Sequence, residues 1–87
     1  MKEERAIKVK SEQIGEITLS ICKSYILWDV VAEGKVKDLK KLKRKLGLDS
    51  KIFKEGVFGE PIIVVDTADS KKDIEYLFKE TKKRLYD

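Results

Sequence analysis

Histidine and asparagine do not occur in this chain, and cysteine, proline, methionine and tryptophan occur once each. Each absence removes a class of function. Without histidine there is no side chain that ordinarily titrates near neutral pH, and the commonest transition-metal ligand is missing. Ser–His–Asp and Cys–His nucleophile systems therefore cannot be assembled within one chain. A zinc site would have to come from carboxylates and the lone Cys22, a donor set that structural zinc does not use. A single cysteine also excludes an intramolecular disulfide framework, and its reading is that of a small buried hydrophobe. No apolar run reaches the roughly 18 residues of a membrane span, and the start, MKEERAIKVK, lacks the apolar centre of a signal peptide. The expectation is a cytoplasmic protein with no metal and no cofactor.

What is abundant is charge. Charged residues make up 41% of the 87 residues, hydrophobic ones another 41%, and the net charge is +4. That is too apolar for a disordered tail, so the chain is expected to form a single α+β domain over residues 1–87, with residues 1–4 frayed. Plentiful Lys, Glu, Ile and Val beside scarce amide and sulfur side chains is the bias of proteins from hot environments.

The basic character is local. Between Lys35 and Leu48, in KVKDLKKLKRKLGL, seven basic residues stand against Asp38 alone, so that stretch carries +6 and the remainder −2. Val36, Leu39, Leu42 and Leu46 recur at helical spacing and form one apolar stripe. Gly47 suits the left-handed position after the last turn, and Leu48 can supply the hydrophobic contact of a Schellman motif. The start is poorly marked: no Ser, Thr, Asp or Asn caps it, and Lys35 and Lys37 sit where the helix dipole is positive.

Strand signals surround this helix. Arg5 to Lys10 alternate, with Ile7 and Val9 on one face, before a polar interval from Ser11 to Gly15. Alternation resumes from Glu16 to Lys23, with Ile17, Leu19 and Ile21 opposite Thr18, Ser20 and Cys22. Tyr25 to Glu33 is rich in aromatic and β-branched residues and apolar on both faces, as a strand covered on both sides or meeting another subunit would be. It is joined to its predecessor at Lys23 and Ser24 as an antiparallel pair, or runs on from it as one bent strand. Lys51 to Phe58 reads as a weak edge strand, Ile62 to Val65 as a short buried strand, and Thr67 to Ser70 as a loop. Ser70 followed by Asp73 resembles a capping box, and Ile74, Leu77, Phe78, Thr81 and Leu85 trace the inner face of a terminal helix.

With the first strand left out, the order is ββαββα. It predicts a two-layer sandwich, an antiparallel sheet of about four strands with two helices on one face. The same order arises when the last strand of a ferredoxin-like βαββαβ unit is moved to the front.

Few residues carry chemistry. Asp29 and Asp66 lie on or beside apolar strands, where burial would raise a carboxylate's pKa, yet solvent exposure or a capping role explains each as well. Gly56-Val57-Phe58-Gly59 matches a bare GxxG, but Pro61 and a strand follow it where the KH clamp has a helix. Gly34 and Lys35, at a strand-to-helix junction, could offer N–H groups and an ammonium to an anion, without the Walker or Rossmann spacing.

The basic helix remains. Gly34, Lys35, Lys37, Lys40, Lys41, Lys43, Arg44 and Lys45 are the candidate nucleic-acid or anion-binding residues, and the partner would be a DNA or RNA backbone or another anionic partner. Phosphate contacts carry no base information, so little sequence specificity is expected. Tyr25 or Phe53 could add a stacking surface. The bland alternative is a solvated face neutralised by Glu12, Glu16, Glu33 or Glu75. The expectation is thus a non-catalytic binding module. Its rival is a homo-oligomeric regulatory or small-ligand-binding domain of ferredoxin-like type, paired through Tyr25, Leu27 and Val31.

Overall fold

Two side chains, Leu19 and Ile63, show where the centre of this protein lies: neither has any solvent exposure, and Ala32 of the strand between them pairs with both. The computed structural model describes residues 7–54 and 59–86. Over these the elements are β1 (Ile7–Ile14), β2 (Ile17–Lys23), β3 (Trp28–Glu33), α1 (Val36–Leu46), β4 (Ile52–Phe53), β5 (Ile62–Ala68) and α2 (Lys71–Tyr86). The strands form one antiparallel sheet in the order β1-β2-β3-β5-β4.

Alternation decides the faces. Leu19 and Ile21 of β2, Val30 and Ala32 of β3 and Ile63 of β5 share one face, and Leu39, Leu42 and Leu46 of α1 with Ile74 and Phe78 of α2 close over it. Fully burying a side chain of this size is worth about 1.5–3 kcal/mol, so this layer is the main source of stability. The α+β architecture and the two helices agree with the pattern of the sequence. The sheet has five strands among the described residues.

The fifth strand is β1, which runs straight through the polar interval from Ser11 to Gln13. Two features explain this. Ile14-Gly15-Glu16-Ile17 is a two-residue hairpin: Ile14 pairs with Ile17, Gly15 has φ 62°, and Glu16, like every described non-glycine residue, has no positive φ, as a type II′ turn requires. The polar side chains also have partners. Ser11 and Ser20 hydroxyls lie 3.0 Å apart, Glu12 accepts from Lys82 of α2 at 2.9 Å, and Lys10 stands 5.1 Å from the centroid of the Phe78 ring. Val9 sits where the register shifts between Lys8 and Lys10, so the early alternation ends in a bulge. Arg5 lies outside the described residues.

Further boundaries move for local reasons. Tyr25 to Leu27 is hairpin rather than strand: the Ser24 amide and hydroxyl both donate to the Leu27 carbonyl, at 2.9 and 3.2 Å, and leave Tyr25 and Ile26 at the corner. The antiparallel pairing of β2 with β3 holds, with the turn after Ser24. Thr67 and Ala68 belong to β5, because a shift between Val30 and Val31 realigns Asp29 with Thr67 and Trp28 with Ala68. The Thr67 hydroxyl donates to Asp29 at 3.0 Å.

The face away from the helices is also closed. Val31 packs with Cys22, Ile62 and Val64, and Ser20 is 0% exposed. Across this face the Lys8 ammonium meets Glu33, itself only 7% exposed, at 2.8 Å.

Candidate nucleic-acid interface

The apolar residues of α1 fix which way its cations face. Leu39, Leu42 and Leu46 are spent on the core, and that leaves Lys37, Lys40, Lys41, Arg44 and Lys45 exposed along the outer side, with Lys43 half-buried on a flank. The helix ends in a full Schellman motif: Leu48 N–H donates to the Lys43 carbonyl at 3.0 Å and Gly47 N–H to that of Arg44 at 3.3 Å. Its start is bare. Lys35 has an extended backbone and no side chain caps the first turn. Gly34 is buried and its N–H donates to the Pro61 carbonyl at 3.1 Å, so this donor serves the fold. Lys35 and Lys37 are exposed beside it.

Electrostatically, the outer side of α1 is open. Among the described residues, Lys37, Lys40, Lys41, Lys43 and Arg44 have no carboxylate within 4.0 Å. Two of the acids that could have neutralised them are committed elsewhere, Glu12 to Lys82 and Glu33 to Lys8. Glu16 and Asp38 line a shallow groove with Lys41, Lys45 and Leu85, and among the described residues neither forms an ion pair with Lys41. On the other flank Lys40, Lys43 and Arg44 border an open depression with Gly47, Leu48 and Asp49.

Sequence reasoning missed the contribution of α2. Lys45 donates its ammonium to the carbonyl of Leu85, and Arg84 donates its guanidinium to the carbonyl of Leu46, both at 3.2 Å. The C-terminal turns of the two helices thereby meet, and each receives a cation from the other, where the helix dipole favours one. Both helices cover the same face of the sheet, and on α2, off its buried Ile74, Phe78 and Thr81, stand the exposed Lys79 and Lys83. Their spacing of four residues was visible in the sequence, but the adjacency of the helices was not.

The other candidates are separate from this surface. Asp29 accepts from Thr67, and Asp66 accepts from the Thr67 backbone N–H at 3.0 Å. The GxxG match falls on residues 56–59, of which only Gly59 is described. Burial pushes the Cys22 thiol up to about 11; the Lys8 charge works against this, while Asp29 and Glu33 add to it. No cluster of three metal-ligating side chains occurs among the described residues, and no helix there is long and apolar enough to cross a membrane. Of the residues considered for subunit pairing, Tyr25 is exposed at the hairpin corner, Leu27 is half-buried and Val31 is buried. Comparison with protein-family models, curated proteins and solved structures finds no match to this chain.

Proposed function

We propose that this protein is a small non-catalytic module that binds the phosphate backbone of nucleic acid through the outer side of α1, with little sequence preference. The observation that carries this reading is the run of Lys37, Lys40, Lys41 and Arg44, exposed and without a carboxylate partner among the described residues. Like charges this close repel to the extent that water and salt do not screen them, and an anionic partner relieves that repulsion. Lys37, Lys41 and Arg44 advance about one turn at a time, roughly 5.4 Å, comparable with the spacing of successive phosphates on a strand. α1 carries no Asn or Gln to pair with adenine, the chain's one amide side chain, Gln13, donates to Gly15 O, and Lys and Arg contacts to phosphate carry no base information. The order β2-β3-β5-β4, with both helices packed in one core, supports treating this scaffold as a ferredoxin-like unit whose last strand leads, preceded by an extra edge strand.

The test is titration of mixed-sequence DNA and RNA at about 50 mM salt, repeated at about 200 mM. Binding that weakens steeply with salt and is indifferent to sequence supports the proposal. Lys41→Gln with Arg44→Gln should weaken it about tenfold or more. Absence of binding at the lower salt refutes it.

A second reading, homo-oligomerisation, is favoured by one observation: Tyr25 is 78% and Ile26 71% exposed at the β2–β3 corner, next to exposed Ile7 on β1. A second copy of the chain would remove these side chains from water. A monomeric mass at micromolar concentration would exclude it.

A further inference from the structure

We infer that the nucleic acid bound is a duplex, held across two phosphate rows by α1 and the C-terminal half of α2. This rests on the backbone-binding reading above and goes beyond it by naming the form of the ligand. The first row of cations is Lys37, Lys41 and Arg44 on α1. The second is Lys79 and Lys83 on α2, one turn apart, exposed and without a carboxylate within 4.0 Å among the described residues. What joins the rows is the reciprocal contact in which Lys45 donates to Leu85 O and Arg84 to Leu46 O. Packed helices lie about 8–10 Å apart, and lysine side chains splay outward from them. The helices touch at their C-terminal turns, so the two rows begin about one helix spacing apart and can reach the phosphate strands on either side of one groove. A single strand has one phosphate row and would leave the second set of lysines without a partner.

The aromatic residues point the same way. Single-strand surfaces stack bases on aromatic rings between cations. No aromatic lies on α1, while Tyr25 is at the β2–β3 corner, Phe53 on β4, and Tyr76 in the first half of α2 beside Thr67 and Asp69. Tyr76 and Tyr86 are the exposed rings nearest the second row, Tyr76 three residues before Lys79 and Tyr86 three after Lys83, while the row on α1 that supplies most of the affinity has no ring on its helix. The field on α2 is weaker than on α1, since Glu75 and Glu80 share that helix, so α1 supplies most of the affinity and α2 the preference for a duplex. The ligand chemistry is a pair of phosphate rows, and DNA and RNA duplexes both present it.

The experiment is fluorescence anisotropy with the full chain on DNA and RNA duplexes of about two helical turns, and on their separated strands. The duplex should bind about tenfold tighter than either strand at equal salt. The slope of log K against log salt should be about −4, for four to five phosphates neutralised. Lys79→Gln with Lys83→Gln should lower duplex affinity severalfold and flatten that slope by one to about two, with single-strand affinity unchanged. Among the described residues neither lysine forms an ion pair, and an unchanged melting temperature checks that the fold is intact. Equal or tighter binding of single strands, above all if Tyr76→Ala or Tyr86→Ala abolishes it, overturns this inference but leaves backbone binding standing. A lysine pair whose replacement leaves the slope untouched also overturns it. No binding to any of these ligands overturns both proposals, and the DNA and RNA arms identify the source of the duplex.

Discussion

Gly34 packs its bare Cα against the carbonyl oxygen of Glu16, with 3.2 Å between that oxygen and the position a Cβ would take. The oxygen belongs to the β1–β2 hairpin, whose last pair, Ile14 and Ile17, holds it in place. Gly34 donates in turn to Pro61 O, so one residue ties the exit of β3 to two other segments. Alanine here would reduce the freedom of the unfolded chain, a gain of about 0.4–1 kcal/mol. The contact with a pinned backbone oxygen outweighs that gain. Gly34→Ala should destabilise by about 1 kcal/mol and Gly34→Val by more, in chemical denaturation. A stabilised Gly34→Ala would show that the hairpin can recede.

The pair across the outer face of the sheet should respond asymmetrically to mutation. Glu33 is almost wholly buried, whereas the Lys8 side chain keeps 33% of its exposure. Replacing Lys8 by Met leaves a buried carboxylate without that cation, and should cost about 1–2 kcal/mol, less than for a fully buried pair. Glu33→Gln leaves an ammonium that water can reach, and should cost less than Lys8→Met. Equal losses in urea unfolding would show that packing, and not charge, dominates at this site.

Which parts of this architecture the sequence discloses follows from how locally each is determined. Period and capping are local, so α1, its Schellman end and the Ser70 cap of α2 were legible; Asp73 N–H does donate to Ser70 at 3.2 Å. The β1–β2 turn was also written locally, as Gly15 between Ile14 and Ile17, but the polar interval hid it. Within that interval Ser11 and Glu12 are satisfied by Ser20 and Lys82, up to 70 residues away. The bulge before Lys10 and the realignment beyond Val31 likewise depend on neighbouring strands. For the candidate interface, the cations of α1 could be read from their spacing, because the leucines dictate their direction. Lys79, Lys83 and Arg84 could not be attached to it, because the exchange between Arg84 and Leu46 is a tertiary contact.

Cys22 predicts a pH effect with a definite sign. Its thiol is pushed from 9.0 to about 11, chiefly by burial. Between these values the unfolded chain releases a proton that the folded chain keeps. The contribution is therefore fully present below pH 9 and is lost as pH rises through about 11. In that window stability should fall by about 1.4 kcal/mol per pH unit from this group. Lysines also titrate there, so the measurement is the difference in urea midpoints between the native chain and Cys22→Ala, from pH 8 to pH 10.5, values about the ordinary thiol range. The native chain should lose more than the variant. Parallel curves would mean that the thiol titrates freely, as would rapid labelling by a thiol reagent at pH 8, near the ordinary thiol pKa of about 8.5.

The β2–β3 corner carries the remaining prediction. Tyr25 and Ile26 occupy the two central positions of the turn, and neither has positive φ. Primed turns match the twist of the flanking strands and require positive φ, so this pair makes a turn that opposes the twist. It also leaves two large apolar side chains in water. Fold stability alone would select Asn-Gly here. Replacing Tyr25-Ile26 by Asn-Gly should therefore stabilise the monomer by about 0.5–1 kcal/mol, a rise of several degrees in melting temperature. It should leave nucleic-acid affinity unchanged, since the corner is not part of α1 or α2. A fall in melting temperature together with a halved mass in solution would assign the corner to a contact between two copies of the chain. A fall without a change in mass would mean that the two side chains support the sheet itself.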